Sequence, residues 1–390
     1  MTALQRLQST GPKKLLALDG GGIRGAMTIE ILAALERMLR LTYSRPELVL
    51  ADYFDFVSGT STGAILAAAI SHGMSMDTLR TFYGESGPLM FDKAALWKRF
   101  RYRYEDEALA GKLQSVFGAK TTLGSSELRT LLMMVMRNAT TDSPWPISNN
   151  PRAKYNNTGD DEDNLKLSLW QLVRASTAAP VYFPPEPIAI GANQFLFVDG
   201  GITMYNNPAF QMFLMATIPA YRVEWPTGVD QMLIVSVGTG HAPDANKNLE
   251  PNDMNLVYNA GSLPSALMAA ALHEQDMLCR VFGKCLSGDA IDSEVGDLHG
   301  GAAPGGGKLF TYMRYNAELT TRGLAELALS DIDPIAVRKL DSVAAIADLQ
   351  RIGRAVATKL DRAHFAGFLG PLGAGAVPCG RRGGTLLDAP

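Results

Sequence analysis

Residues 13–25 read KKLLALDGGGIRG, and this stretch decides the fold. Lys13 and Lys14 lead into the apolar run Leu15, Leu16, Ala17 and Leu18, which Asp19 and the glycines Gly20, Gly21 and Gly22 stop. A short apolar run ended by turn residues reads as a buried strand followed by a tight turn. Over residues 26–41 the period changes. Ile29, Leu32, Leu35 and Leu39 share one helical stripe, with Glu30, Arg37 and Arg40 elsewhere, as in a helix that covers a sheet. The same events recur downstream: a strand over 53–58 runs into Gly59-Thr60-Ser61-Thr62-Gly63, and 64–70 continues as a nearly all-apolar helix. Strand, sharp turn and helix, twice over, specify an α/β fold with a mostly parallel sheet.

Further along, 125–137 reads as helix, 149–164 as a polar loop, and 167–178 as a helix stopped by Pro180 with Pro184, Pro185 and Pro187 behind it. A strand over 195–198 runs into Asp199-Gly200-Gly201, and Asn206-Asn207-Pro208 caps the next helix. Residues 232–237 form a buried strand before Gly238-Thr239-Gly240. A long helix over 262–282 uses Met268, Leu272 and Met277 as core. A glycine-rich loop at 300–307 precedes a last strand at 309–313, and 340–360 is helical. No repeat or linker cuts the chain. The reading places a core at 15–240 and a C-terminal part at 241–390, whose late strand at 308–313 joins the same domain and whose glycine-rich tail is frayed.

The composition narrows the function classes. Over 390 residues, 36 Lys and Arg against 39 Asp and Glu leave a net charge of −3, and 47% of residues are hydrophobic. That describes a globular chain, and it offers no electrostatic case for nucleic acid. Cys279, Cys285 and Cys379 are too few and too badly spaced for a disulfide framework or a zinc site. No apolar stretch approaches a membrane span, and the polar residues 1–14 lack the apolar region of a signal peptide, so a cytoplasmic protein is expected.

Gly59-Thr60-Ser61-Thr62-Gly63 is a G-x-S-x-G at a strand-to-helix turn, the setting of a strained, exposed nucleophile. Ser61 needs a base. Asp199 closes a strand and is followed by Gly200 and Gly201, so it can take the hydroxyl proton directly if its pKa is raised. A Ser61–Asp199–His241 triad also fits the chain order. The third element is the run Gly20, Gly21, Gly22, Ile23, Arg24 and Gly25. Its backbone amides suit an oxyanion, yet Gly20, Gly22 and Gly25 also spell the dinucleotide fingerprint. That second use asks for an acid closing the next strand, where this chain has Ser58-Gly59-Thr60-Ser61. A non-catalytic nucleotide-binding module stands as the alternative.

DGGGIRG at 19–25, GTSTG at 59–63 and DGG at 199–201, in this order, resemble the patatin-like phospholipases. The resemblance runs from about residue 15 to the strand at 233. It implies a three-layer α/β/α fold with helical insertions and hydrolysis of fatty-acyl esters by a Ser–Asp dyad without cofactor or metal. By that resemblance Ser61 is the nucleophile and Asp199 the base. Gly59, Thr60, Thr62 and Gly63 form the elbow, Gly200 and Gly201 complete the Asp-Gly-Gly motif, and the backbone at Gly20 to Gly25 is the oxyanion hole with Arg24 beside it. The expected substrate is a phospholipid or another acyl-ester lipid, of phospholipase A or lysophospholipase type. Residues 91–104 interleave Lys93, Lys98, Arg99, Arg101 and Arg103 with Trp97, Phe100, Tyr102 and Tyr104, which suits peripheral membrane contact. Kinship with effectors of this type extends the expectation to a cyclic-nucleotide activator, for which no pocket is marked in the sequence.

Overall fold

The structure, a computed structural model, describes residues 1–91, 104–180, 183–243, 250, 256–301 and 305–372. Its strands are β1 (Lys13–Leu18), β2 (Phe56–Thr60), β3 (Leu131–Asn138), β4 (Ser143–Ser148), β5 (Glu186–Ile190), β6 (Asn193–Asp199), β7 (Met232–Val237), β8 (Gly283–Ser287) and β9 (Phe310–Tyr315). The helices are α1 (Ala3–Gln8), α2 (Gly25–Tyr43), α3 (Leu50–Tyr53), α4 (Thr62–Ser71), α5 (Met76–Phe91) and α6 (Tyr104–Phe117). They continue with α7 (Leu169–Ser176), α8 (Ala209–Thr217), α9 (Leu256–Phe282), α10 (Thr321–Glu326), α11 (Pro334–Arg338) and α12 (Ile346–Val356).

All the strands belong to one sheet. β3, β2, β1, β7, β9 and β8 are neighbours in parallel, and β4, β5 and β6 add antiparallel pairs at the β3 side. Alternation along the strands sorts the core into two layers. Leu16, Leu18, Val57, Val235 and Met313 pack with Leu32 of α2, Leu66 of α4 and Leu349 of α12. Leu15, Ala17, Phe56, Ile234 and Tyr312 pack with Leu7 of α1, Met212 of α8 and Cys279 of α9. The result is the expected α/β/α arrangement, in which both faces of the central strands are apolar because both are covered.

The register at β3 creates the site. β2 pairs with Leu131 to Val135 of β3, and its last residue, Thr60, lies opposite Val135. β4 occupies the other edge of β3 from Met133 to Asn138. β6, which pairs with Met136 to Asn138, is therefore left with the β2 edge, and its last residue, Asp199, lies opposite Met136. Two strands running in opposite senses thus end head to head on one edge of β3. The residue after Thr60 is Ser61, and it meets Asp199.

Several expectations are corrected. Residues 131–138 are strand, not helix. Leu and Met favour helices, and a strand buried on both faces shows no alternation to betray it. The second strand starts at Phe56 rather than 53, because 50–53 closes a helical turn whose Asp52 carboxylate accepts from the Val49 N–H at 3.1 Å. β4 carries Pro144 and Pro146, which argue against a strand in the sequence. As an edge strand it tolerates them: two residues apart, both turn their missing donor away from β3. β5 and β8 are further strands beyond those expected. The polar start folds as α1, whose Arg6 is buried and donates to Asp55 at 3.0 Å.

No helix among the described residues is long and apolar enough to cross a membrane. Cys279 and Cys285 are buried free thiols, and burial pushes the Cys285 thiol up to about 11. Residues 92–103, with the basic-aromatic stretch, and Cys379 lie outside the described residues.

Candidate active site

β2 ends at Thr60 and α4 begins at Thr62, so one residue has to make the turn. Ser61 does so at φ 55°, ψ −124°, a conformation that costs a residue with a side chain on the order of 1–3 kcal/mol. The flanking glycines are a matter of space. A Cβ on Gly59 would lie 2.0 Å from the Gly63 carbonyl oxygen, and one on Gly63 would lie 2.3 Å from that of Leu18. The strained amide is held: Ser61 N–H donates to Ser176 Oγ at 3.0 Å, and the Ser176 hydroxyl donates to the Val135 carbonyl at 2.5 Å.

The Ser61 hydroxyl donates to Asp199 Oδ2 at 2.6 Å, and both side chains are buried. Asp199 Oδ1 accepts from the Gly201 N–H, also at 2.6 Å. Burial pushes the Asp199 carboxyl up to about 6, against the pull of these two donors. The carboxylate is thus a stronger base than an exposed one, and it is still mostly ionised at neutral pH.

The glycine loop lies beside Ser61, since a Cβ on Gly20 would sit 3.2 Å from Ser61 Cβ. Most of its backbone groups are already engaged. Gly20 N–H donates to the Asn206 carbonyl at 3.1 Å, Ile23 N–H to Leu340 at 2.9 Å, and Arg24 N–H to Gly21 at 3.2 Å. Gly25 N–H turns back to Gly22 and Ile23. Among the described residues only the Gly21 and Gly22 amides of this run lack an acceptor. Among the described residues, the partly buried Arg24 guanidinium has only long hydrogen bonds, to Gly21 O at 3.4 Å and Gly240 O at 3.5 Å. A strained serine hydrogen-bonded to a buried carboxylate thus lies next to a loop with two unengaged amides, groups whose chemistry suits acyl transfer.

A family model described as patatin-like phospholipase matches residues 16–213. The chain belongs to that family. It is 29% identical over 238 residues to a cGAMP-activated phospholipase of Vibrio cholerae, a span covering 58% of this chain and 64% of that protein. It is 29% identical over 250 residues to Patatin-15 of Solanum tuberosum, covering 60% and 62%. To Patatin-like protein 1 of Oryza sativa subsp. indica it is 30% identical over 329 residues, covering 74% and 75%. The matched span is thus under two thirds of the length of the first two relatives.

Around the patatin-like motifs stand residues that sequence reading did not single out. Ser176 ends α7 in a run of small residues with no motif of its own. Thr239 donates its hydroxyl to the Gly20 carbonyl at 2.7 Å; a Gly-Thr-Gly after a strand was its only signal. Asn206, part of the expected helix cap, is fully buried, and neither of its amide atoms is hydrogen-bonded among the described residues. Among the described residues His241 has no hydrogen bond to Ser61 or Asp199. Its Nδ1 lies 3.3 Å from Asn316 Nδ2, and its backbone N–H donates to Ala317.

Asp19, the first residue of the patatin-like glycine motif, is bound bidentately by Arg314 of β9 at 2.8 and 2.5 Å. Both are buried, and Arg314 also donates to Ser236 Oγ at 2.7 Å. Replacing Arg314 by methionine would leave a buried carboxylate alone, which costs about 3–5 kcal/mol. Urea unfolding at neutral pH should show that loss, and Asp19→Asn in the Arg314→Met background should recover part of it.

Proposed function

We propose that this chain is a lipid acyl hydrolase of phospholipase A or lysophospholipase type that works through Ser61 and Asp199 alone. The observation that carries the reading is the 2.6 Å bond from the strained Ser61 hydroxyl to a buried carboxylate. Family membership supports fatty-acyl esters as the substrate class. Asp199 takes the proton as Ser61 Oγ attacks the ester carbonyl. The Gly21 and Gly22 N–H groups receive the oxyanion, and Arg24 adds positive potential beside them. Each such donor is typically worth about 3 kcal/mol in the transition state. The tetrahedral intermediate collapses, the alcohol leaves with the proton from Asp199, and an acyl-Ser61 ester remains. Water then gives a proton to Asp199 and attacks that ester, and the protonated Asp199 returns the proton to Ser61 as the fatty acid departs.

The test is fatty-acid release from phospholipid and lysophospholipid micelles, run with and without added cGAMP because the Vibrio relative is named for that activator. No release from either substrate in either condition overturns the proposal. His241→Ala separates dyad from triad. The dyad predicts kcat/KM within about twofold of wild type, whereas loss of a general base typically costs about 10²–10⁴-fold.

A further inference from the structure

We propose that Tyr83, a residue of α5 outside every motif, is a positioning residue for this hydrolysis: its phenol ties the glycine loop to the nucleophile elbow. The inference rests on the Ser61–Asp199 reading above. The Tyr83 oxygen lies 2.6 Å from the Gly22 carbonyl oxygen and 2.9 Å from Thr62 Oγ1. A phenol has one proton and a carbonyl can only accept, so Tyr83 donates to Gly22 and the Thr62 hydroxyl donates to Tyr83. One oxygen thereby joins Gly22, which carries one of the two unengaged amides, to the residue next to Ser61. Burial holds the phenol far above its usual range, so it stays protonated at any working pH and takes no part in proton transfer.

The loop needs such a tie. Three successive glycines have no side chains to pack, and Gly22 sits at φ 58°, so the positions of its amides are set only by what grips the backbone. Asn206 O, Thr239 Oγ1 and Leu340 O grip it from other parts of the fold. Among the described residues, the Tyr83 bridge is the one of these grips that ends on α4. It fixes the spacing between oxyanion donors and nucleophile, which has to hold to a few tenths of an ångström for acyl transfer. α5 is itself anchored, since Arg80 donates to Glu30 of α2 at 2.8 and 3.1 Å. The space for the bridge is reserved by the last glycine of the motif. A Cβ on Gly25 would lie 2.7 Å from both the Tyr83 and the Thr62 oxygens.

Tyr83→Phe keeps the ring and removes the bridge. With a lysophospholipid substrate, kcat should fall about tenfold, KM should stay within twofold, and the midpoint of the pH profile, which belongs to Asp199, should not move. The rate of labelling by a fluorophosphonate probe should fall in the same ratio. Thr62→Val should show a similar loss, and the double variant should be no worse than the poorer single one, because both remove the same bridge. A Tyr83→Phe enzyme with wild-type kcat overturns the proposal. So does a loss that only tracks the folded fraction measured by circular dichroism, or a double variant whose losses multiply. A wild type that neither hydrolyses lipid esters nor takes up the probe overturns the functional reading itself, and this proposal with it. An active wild type matched by Tyr83→Phe overturns this proposal alone.

Discussion

Ser61→Ala should lower fatty-acid release by at least about 10³-fold and abolish fluorophosphonate labelling, while the protein stays folded. In the proposed mechanism no neighbour can replace Ser61 as nucleophile, so the residual rate is what binding and the amides proposed for the oxyanion supply. The backbone around it should survive. Its strained amide is held by Ser176, and the flanking contacts at Gly59 and Gly63 involve no serine hydroxyl. Loss of the hydroxyl also takes one of the two donors from Asp199, whose carboxyl should then titrate above its wild-type value of about 6. Intact-mass spectrometry of the probe-treated protein reads the first effect directly. Labelling of Ser61→Ala at the wild-type rate would mean that another residue is the nucleophile.

Asp199→Asn should be inactive and, at alkaline pH, more stable than wild type. The activity side follows from the need for an ionised base: wild-type kcat/KM should rise as pH passes through about 6 and level off above it. The asparagine variant, which cannot accept the serine proton, should lose about 10³-fold or more across the range. The stability side follows from linkage. The carboxyl titrates near 3.8 in the unfolded chain and near 6 in the folded one, so the unfolded state holds fewer protons between these values. Stability from this group is full below about pH 3.8, falls as pH rises, and is lost above about 6. The difference between these two values corresponds to about 3 kcal/mol. Urea denaturation at pH 8 should therefore favour Asp199→Asn by about that amount, and at pH 4 the two proteins should unfold nearly alike. Equal stability at both pH values would mean that Asp199 is not buried as a charge.

How far the sequence could be read depended on the range of the forces involved. Asp19 to Gly25 and Gly59 to Gly63 were legible because their chemistry is local: an apolar run, then residues small enough for a turn. β3 was misread because Leu131 to Met136 carry no periodicity once both faces are covered. β4 was hidden by prolines that only an edge position permits. Ser176, Thr239 and Tyr83 could not be singled out at all, since each acts through one hydroxyl on a backbone group far away in the chain.

By itself the sequence determined the two strand–turn–helix units and the residue types that could attack, accept a proton and receive an oxyanion. The tertiary structure decided which of them meet. Ser61 and Asp199 are 138 positions apart, and they touch because β2 and β6 share one edge of β3 and end opposite Val135 and Met136. Arg314 reaches Asp19 across an even longer separation, through the pairing of β9 with β7 and of β7 with β1. Turn chemistry depends on a few adjacent residues and is written in their order. Strand register depends on which edges other strands have already taken, and that is settled only when the whole sheet is assembled.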